Sequence, residues 1–170
     1  RWELRSSLAP IAAWLCIGNE SWNREFRGWV LQSAPDIHWS HGDPAALDIE
    51  YRRATLRKLI ERYAERKKLW LDTDRDSLER FADARLGPDV ARWIKDKSLS
   101  CDLRIEMIRL AWEGGLLECR PELLQLVIDD DTDANLRIYA LMGLGALGVD
   151  EVMARALRNK LLDSRDLPQR

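Results

Sequence analysis

Several things are scarce in this chain, and each scarcity excludes a class of protein. Cysteine occurs three times in 170 residues, as Cys16, Cys101 and Cys119. An odd, widely spaced set beside apolar helical stretches does not make a disulfide framework and points to a reducing compartment, so a cytoplasmic location is expected. No apolar run approaches the ~20 residues that span a bilayer, and no signal-peptide pattern follows Arg1. A Gly-rich loop ending in Gly-Lys-Ser/Thr is missing, as is an acidic strand end for magnesium. No serine sits in a glycine-framed nucleophile elbow. Histidine is limited to His38 and His41, both in one short stretch, which leaves little for a triad assembled from distant segments. There is no strand candidate longer than a few residues, no low-complexity tract and no long linker. Neither sign of charge dominates: 27 Lys and Arg stand against 29 Asp and Glu, for a net charge of −2. A general nucleic-acid binder would concentrate positive charge, so that class is disfavoured, although a local basic patch stays open. A chain that opens on Arg rather than Met reads as a piece of a longer protein.

What is abundant is helical periodicity. Pro121 to Asp129 reads as an apolar helix, an acidic turn runs to Asp133, and Asn135 to Gly148 reads as a second helix that stops at glycine. Asp102-Leu103-Arg104-Ile105 recurs as Asn135-Leu136-Arg137-Ile138, 33 positions later, and Gly115 falls in step with Gly148. A period of that size fits two-helix repeats that stack as solenoids. Burial supplies the reason. Leu103, Met107, Leu110 and Ala111 line one side of their helix, and Ile105, Ile108 and Trp112 line another. The later helix pairs Leu136, Ala140 and Leu144 with a second stripe of Ile138 and Leu141. A surface helix needs one apolar stripe; two predict cover from both the hairpin partner and the next repeat. The expected fold is therefore all-α, a right-handed solenoid of stacked helical hairpins, less regular toward the N-terminus.

Upstream, residues 3–17 read as a helix with Leu4, Leu8, Ile11, Ala12 and Leu15 as its inner stripe. Asn19 is placed to cap a second helix over 20–33, which carries Trp22, Phe26, Trp29 and Val30 and is closed by Pro35. A joint spans Asp36 to Asp43. A long helix over 48–68 follows, with Ile49, Leu56, Leu59, Ile60 and Tyr63 facing inward. Its outer side carries Arg52, Arg53, Arg57, Lys58, Arg62, Arg66, Lys67 and Lys68. Asp76-Ser77-Leu78-Glu79 has capping-box spacing, and Pro88 suits the first turn of a short helix. Two regions are expected, 1–68 and 69–170, continuous as one array.

Residues 117–162 resemble HEAT-type repeats: an apolar helix, an acidic turn, Leu136-Arg137 at the start of the next helix, then alanine, leucine and glycine at helical spacing. Phe26-Arg-Gly-Trp-Val-Leu-Gln-Ser-Ala-Pro35-Asp36, Gly42-Asp43-Pro44 and the helix Leu56-Arg-Lys-Leu-Ile-Glu-Arg-Tyr63 resemble the region downstream of the nucleotide-binding domain in large bacterial NACHT-like NTPases. Many members of that class act against phage. The resemblance implies a scaffold or sensor segment, with any nucleotide hydrolysis residing in another domain.

Few residues suggest chemistry. His38 and His41, flanked by Asp36 and Asp43, could ligate zinc only if all four groups converged from one joint; a locally hydrogen-bonded pair, or a contact site with Trp39, is simpler. Asp72-Thr-Asp74-Arg-Asp76 starts like a calcium loop but has Ser77 and Asp83 where glycine and a bidentate glutamate belong. No cofactor is expected. Arg104 and Arg137 are expected to form a structural ladder with Asp102, Asp129 or Asp130, and Gly115 and Gly148 to mark repeat ends. The interaction candidates are His38, Trp39, His41, Arg53, Arg57, Arg62 and Arg66. A protein or an adjacent domain is the expected partner; nucleic acid on the basic face of 52–68 is the alternative.

Overall fold

The computed structural model describes residues 4–18, 21–64 and 74–163. Among these residues every regular element is helical, with no strand. The α-helices are α1 (Ala9–Leu15), α2 (Ser21–Ser33), α3 (Ile37–Ser40), α4 (Ile49–Ala64), α5 (Arg75–Phe81), α6 (Gly87–Lys95), α7 (Cys101–Glu113), α8 (Arg120–Ile128), α9 (Ala134–Leu147) and α10 (Glu151–Asp163). No helix among the described residues is long and apolar enough to cross a membrane. Asn19, Asp72, Arg66, Lys67 and Lys68 lie outside the described residues.

Where helices start, short polar side chains take up the unpaired N–H groups of the first turn. Ser100 Oγ accepts from Leu103 N–H at the head of α7, and Asp133 Oδ1 accepts from Asn135 and Leu136 N–H at the head of α9. The two caps stand 33 residues apart. The cap of α5 is Asp74, which accepts from Ser77 N–H at 2.9 Å, so Asp76 sits in the first turn rather than at the expected capping position.

Where helices end, two devices appear. Gly115 takes a positive φ of 64°, Leu116 N–H donates to Ala111 C=O at 2.8 Å, and Gly115 N–H donates to Trp112 C=O, which closes α7 in a Schellman motif. Gly148 takes a positive φ at the same register position after α9. The other device is an arginine from a different helix. Arg27 Nε donates to Cys16 C=O at the end of α1, and Arg62 to Ser33 C=O at the end of α2. Arg52 reaches the end of α5, Arg104 the end of α6 and Arg137 the end of α8. A cation there meets both unpaired carbonyls and the negative pole of the helix.

Two apolar clusters fill the interior. The larger runs from Trp39 and the inner face of α4 (Leu56, Leu59, Ile60, Tyr63) through α5 to α9 and ends on Met153 of α10. The smaller gathers Ala9, Ala12, Ala13, Cys16, Val30, Ile37, Leu47 and Tyr51. Helix α4 serves both, so the division between the cores falls along this helix and not after residue 68. In the C-terminal half α6 packs on α7 and α8, α7 on α9, α8 on α9, and α10 on α8. That places α6, α8 and α10 in succession and α7 beside α9.

Two faces differ from expectation. Helix α1 is reversed: the small residues Ala9, Ala12, Ala13 and Cys16 point inward, while Leu8, Ile11, Trp14 and Leu15 are exposed. Close approach explains the inversion, because Gly42 in the loop after α3 lies against Ala13, where a Cβ on the glycine would sit 3.1 Å from the alanine methyl. Large side chains on that side of α1 would push the loop away. Helix α9 covers only one of its two stripes: Leu136, Ala140 and Leu144 are buried, whereas Ile138 and Leu141 are about half exposed. The equivalent stripe of α7 is covered, by α9 itself.

Candidate functional site

The densest polar group lies in the smaller core. Burial of the Tyr51 ring on α4 brings its hydroxyl 3.1 Å from His38 Nε2 on α3 and 3.4 Å from Cys16 Sγ beyond α1. Arg27 on α2 lies over the Tyr51 ring at 4.7 Å and forms a 2.6 Å ion pair with Asp48, whose other oxygen accepts from Tyr51 N–H. Five side chains thus tie four helical segments together. The sequence signal for this was absent, because Cys16 and Tyr51 are 35 residues apart and Arg27 sits within an aromatic stripe.

The composition of this group resembles that of a nucleophile and its base, but its electrostatics run the other way. His38 is 1 % exposed, and burial, with the Arg27 charge adding to it, lowers its pKa to about 4, so the ring is neutral at pH 7. Burial raises the Cys16 thiol, against the weaker lowering by Tyr51 and Arg27. Reactive cysteines have lowered values and some exposure. Tyr51 is also raised, by burial first and its thiol neighbour second. All three groups stay protonated or neutral in a sealed interior, an arrangement suited to holding helices in place. His41, three residues along, is half-buried and Trp39 stacks on Phe81 at 5.0 Å in the larger core. His38 and Trp39 are therefore core residues and not the exposed contact residues expected of them. Among the described residues no three His, Cys, Asp or Glu side chains converge as a metal site.

The basic face of α4 is largely committed to internal partners. Arg52, expected outside, is 6 % exposed. Its guanidinium donates to Leu47 C=O at 3.0 Å, Phe81 C=O at 3.1 Å, Ala82 C=O at 3.2 Å and to Ala45 C=O. Five N–H groups in a planar fork let one arginine satisfy carbonyls from two loops at once, which lysine cannot do. Arg53 pairs with Asp89 at 2.7 Å and donates to Arg85 C=O, fastening α4 to α6. Arg62 holds Ser33 C=O and Asp36. Lys58 pairs with Glu61, and Arg57 is exposed. Helical spacing shows which positions share a face; it does not show that carbonyls 29 and 30 residues away will need a donor.

The repeat arginines also differ in partner from the expectation. Neither reaches a carboxylate. Arg104 Nε donates to Ile94 C=O at 2.8 Å, and Arg137 Nη2 lies within 3.1 Å of the carbonyls of Asp129, Asp130 and Thr132. Their matched position is real, but each closes the helix before it in its own hairpin and forms no ladder between hairpins.

What remains at the surface is apolar. On α9, Ile138, Leu141 and Met142 are exposed, and beside them so are Val149 and Val152. On α1, Leu8, Ile11, Trp14 and Leu15 form a second patch, with Trp14 60 % exposed. Single exposed hydrophobic residues are ordinary, whereas runs of them on one helix mark faces that another surface covers. The clue for α9 was in the sequence: no charged residue occurs between Ile138 and Leu147, and a helix apolar all round is one expected to be enclosed.

The fold and these faces define the class of the molecule as an all-helical protein. No family model matches the chain, and no curated protein or solved structure compared with it matches either.

Proposed function

We propose that this chain is a noncatalytic scaffold or sensor segment of a larger multidomain protein, built as a right-handed α-solenoid of HEAT-like hairpins and acting through protein–protein or interdomain contacts in the cytoplasm. One observation carries the reading. Helices α7 and α9 use the same positions, 33 residues apart, for the same physical tasks: Ser100 and Asp133 cap, Arg104 and Arg137 close the preceding helix, Gly115 and Gly148 end the unit. A hairpin that reuses its own devices at a fixed interval is the unit from which stacked arrays grow, and such arrays offer extended surfaces to partners. The likeness of Phe26–Asp36 and Leu56–Tyr63 to the region after the NTPase domain of bacterial NACHT-like defence proteins is the reason for assigning an antiphage setting. In that setting nucleotide hydrolysis belongs to another domain and this chain carries no cofactor.

The test combines binding and activity on the whole chain. Titration with single- and double-stranded nucleic acid at low salt, and incubation with nucleoside triphosphate and magnesium, are expected to give neither tight binding nor turnover. Crosslinking in cells followed by peptide mapping is expected to place a protein neighbour on α9 or α1. Salt-dependent nucleic-acid binding that Arg57→Glu abolishes would overturn the reading in favour of the nucleic-acid alternative.

A further inference from the structure

We infer that two copies of this chain associate through the open face of α9, as an antiparallel helix pair whose two-fold axis passes between Leu141 and Met142. This rests on the scaffold reading and names the occupant of one of its faces. The face is a stripe of five exposed residues at i, i+3, i+4, i+7 and i+8: Ile138, Leu141, Met142, Gly145 and Ala146. Ile138, Leu141 and Met142 are 55 %, 54 % and 54 % exposed.

Three observations favour a second copy of the chain. First, the protein already contains an interface of this kind. The α7 stripe at the same register, Ile105, Ile108 and Trp112, is covered by α9: Trp112 stacks on Tyr139 with ring centres 6.0 Å apart, and Gly143 packs tightly against Ile108 and Trp112. The α9 stripe continues that surface one layer on and is chemically made to receive a helix. Second, it is free of charge from Ile138 to Leu147, so it can meet its own copy without like-charge repulsion. Third, it is self-complementary in size. An axis between Leu141 and Met142 sets Ile138 of one copy against Gly145 of the other, and Leu141 against Met142. A two-fold interface requires this reciprocity, residue i meeting j and j meeting i. Gly145 has open space around it, with nothing within 4 Å of a Cβ built there, so an isoleucine can seat on it. Val149 and Val152, exposed just past the end of α9, widen the apolar area. The other apolar patch lacks this match: Leu8, Ile11, Trp14 and Leu15 on α1 are all bulky.

Sedimentation velocity and equilibrium of the whole chain at micromolar concentrations test the pairing. The expected result is a reversible species of twice the 19.7 kDa chain mass. Leu141→Arg and Gly145→Ile should each weaken association by about tenfold or more, with melting transitions of the separated chains unchanged because both positions face solvent. Leu141→Cys should give a disulfide-linked dimer on mild oxidation, which reads proximity to the axis without removing the apolar face. A chain that is monomeric throughout overturns the pairing, and so does a dimer that survives Leu141→Arg but is dissolved by Ile11→Arg. Either result leaves the scaffold reading standing, since that reading falls on nucleic-acid binding instead.

Discussion

The two cores of this protein are held together by different means. Around α1 to α4 the structure is bespoke: a small-residue face, one buried polar group of Cys16, Arg27, His38, Asp48 and Tyr51, and arginines reaching across long stretches of chain. From α6 to α9 it is repetitive: apolar layers of Leu103, Met107, Leu110 and Leu136, Ala140, Leu144, with caps and closing residues reused at one interval. A dry layered interior tolerates the same solution twice because its neighbours are alike. A polar interior does not, since every buried donor and acceptor needs its own partner.

That contrast can be broken most severely at Arg52. Arg52→Ala leaves the carbonyls of Leu47, Phe81 and Ala82 unpaired beside an emptied guanidinium site. Hydrogen bonds to a charged group contribute about 1.5 to 3 kcal/mol each, so a loss of about 3 kcal/mol or more in urea denaturation is expected. Arg52→Lys should recover only a minor part of it. Equal stability of Arg52→Ala and the parent protein would show that the two cores are not joined through this side chain.

A second test uses pH. The folded pKa of His38 is lowered to about 4 from the 6.5 of an unfolded histidine. Between those values the unfolded chain binds a proton that the folded chain refuses, so stability rises with pH across the window and is lost as pH falls through it. The contribution is on the order of 3 kcal/mol. The parent protein should melt progressively earlier as pH drops from 7 toward 4, and His38→Gln should flatten that slope. An unchanged slope would mean that the imidazole is already solvated or charged.

The smallest effect sharpens the repetitive side. Arg137 meets three carbonyls and Arg104 one, so Arg137→Ala should cost about 2 kcal/mol and Arg104→Ala about 1. Thermal or chemical unfolding of the two variants decides the order. The reverse ranking would show that equivalent repeat positions are not graded by the carbonyls they satisfy.

Much of the C-terminal half was legible before any coordinates. Ser100, Asp133, Arg104, Arg137 and Gly115 act within a turn or a hairpin of where they lie, so spacing alone finds them. The inner stripes of α7 and α9 follow from the 3.6-residue period. The misreadings share a cause. Arg52, Arg53 and Arg62 were assigned to a solvated face because their partners lie 26 to 36 residues away. Leu8 and Ile11 were assigned inward because periodicity tells which residues share a face of α1 and not which face the chain turns to its neighbours. His38 and Trp39 sit in what reads as a polar joint, and only the docking of α4 and α5 encloses them.

The helical character of the chain, the ends of its later helices and the period of its hairpins are properties of local backbone and side-chain chemistry, and the order of residues suffices to settle them. Which stripe of a two-faced helix is covered, and which cation is spent on a distant carbonyl, depends on the positions of groups far apart in the chain. Burial and desolvation are properties of that assembled neighbourhood: the same arginine is a solvated charge on an isolated helix and a clamp once Phe81 and Ala82 are brought against it.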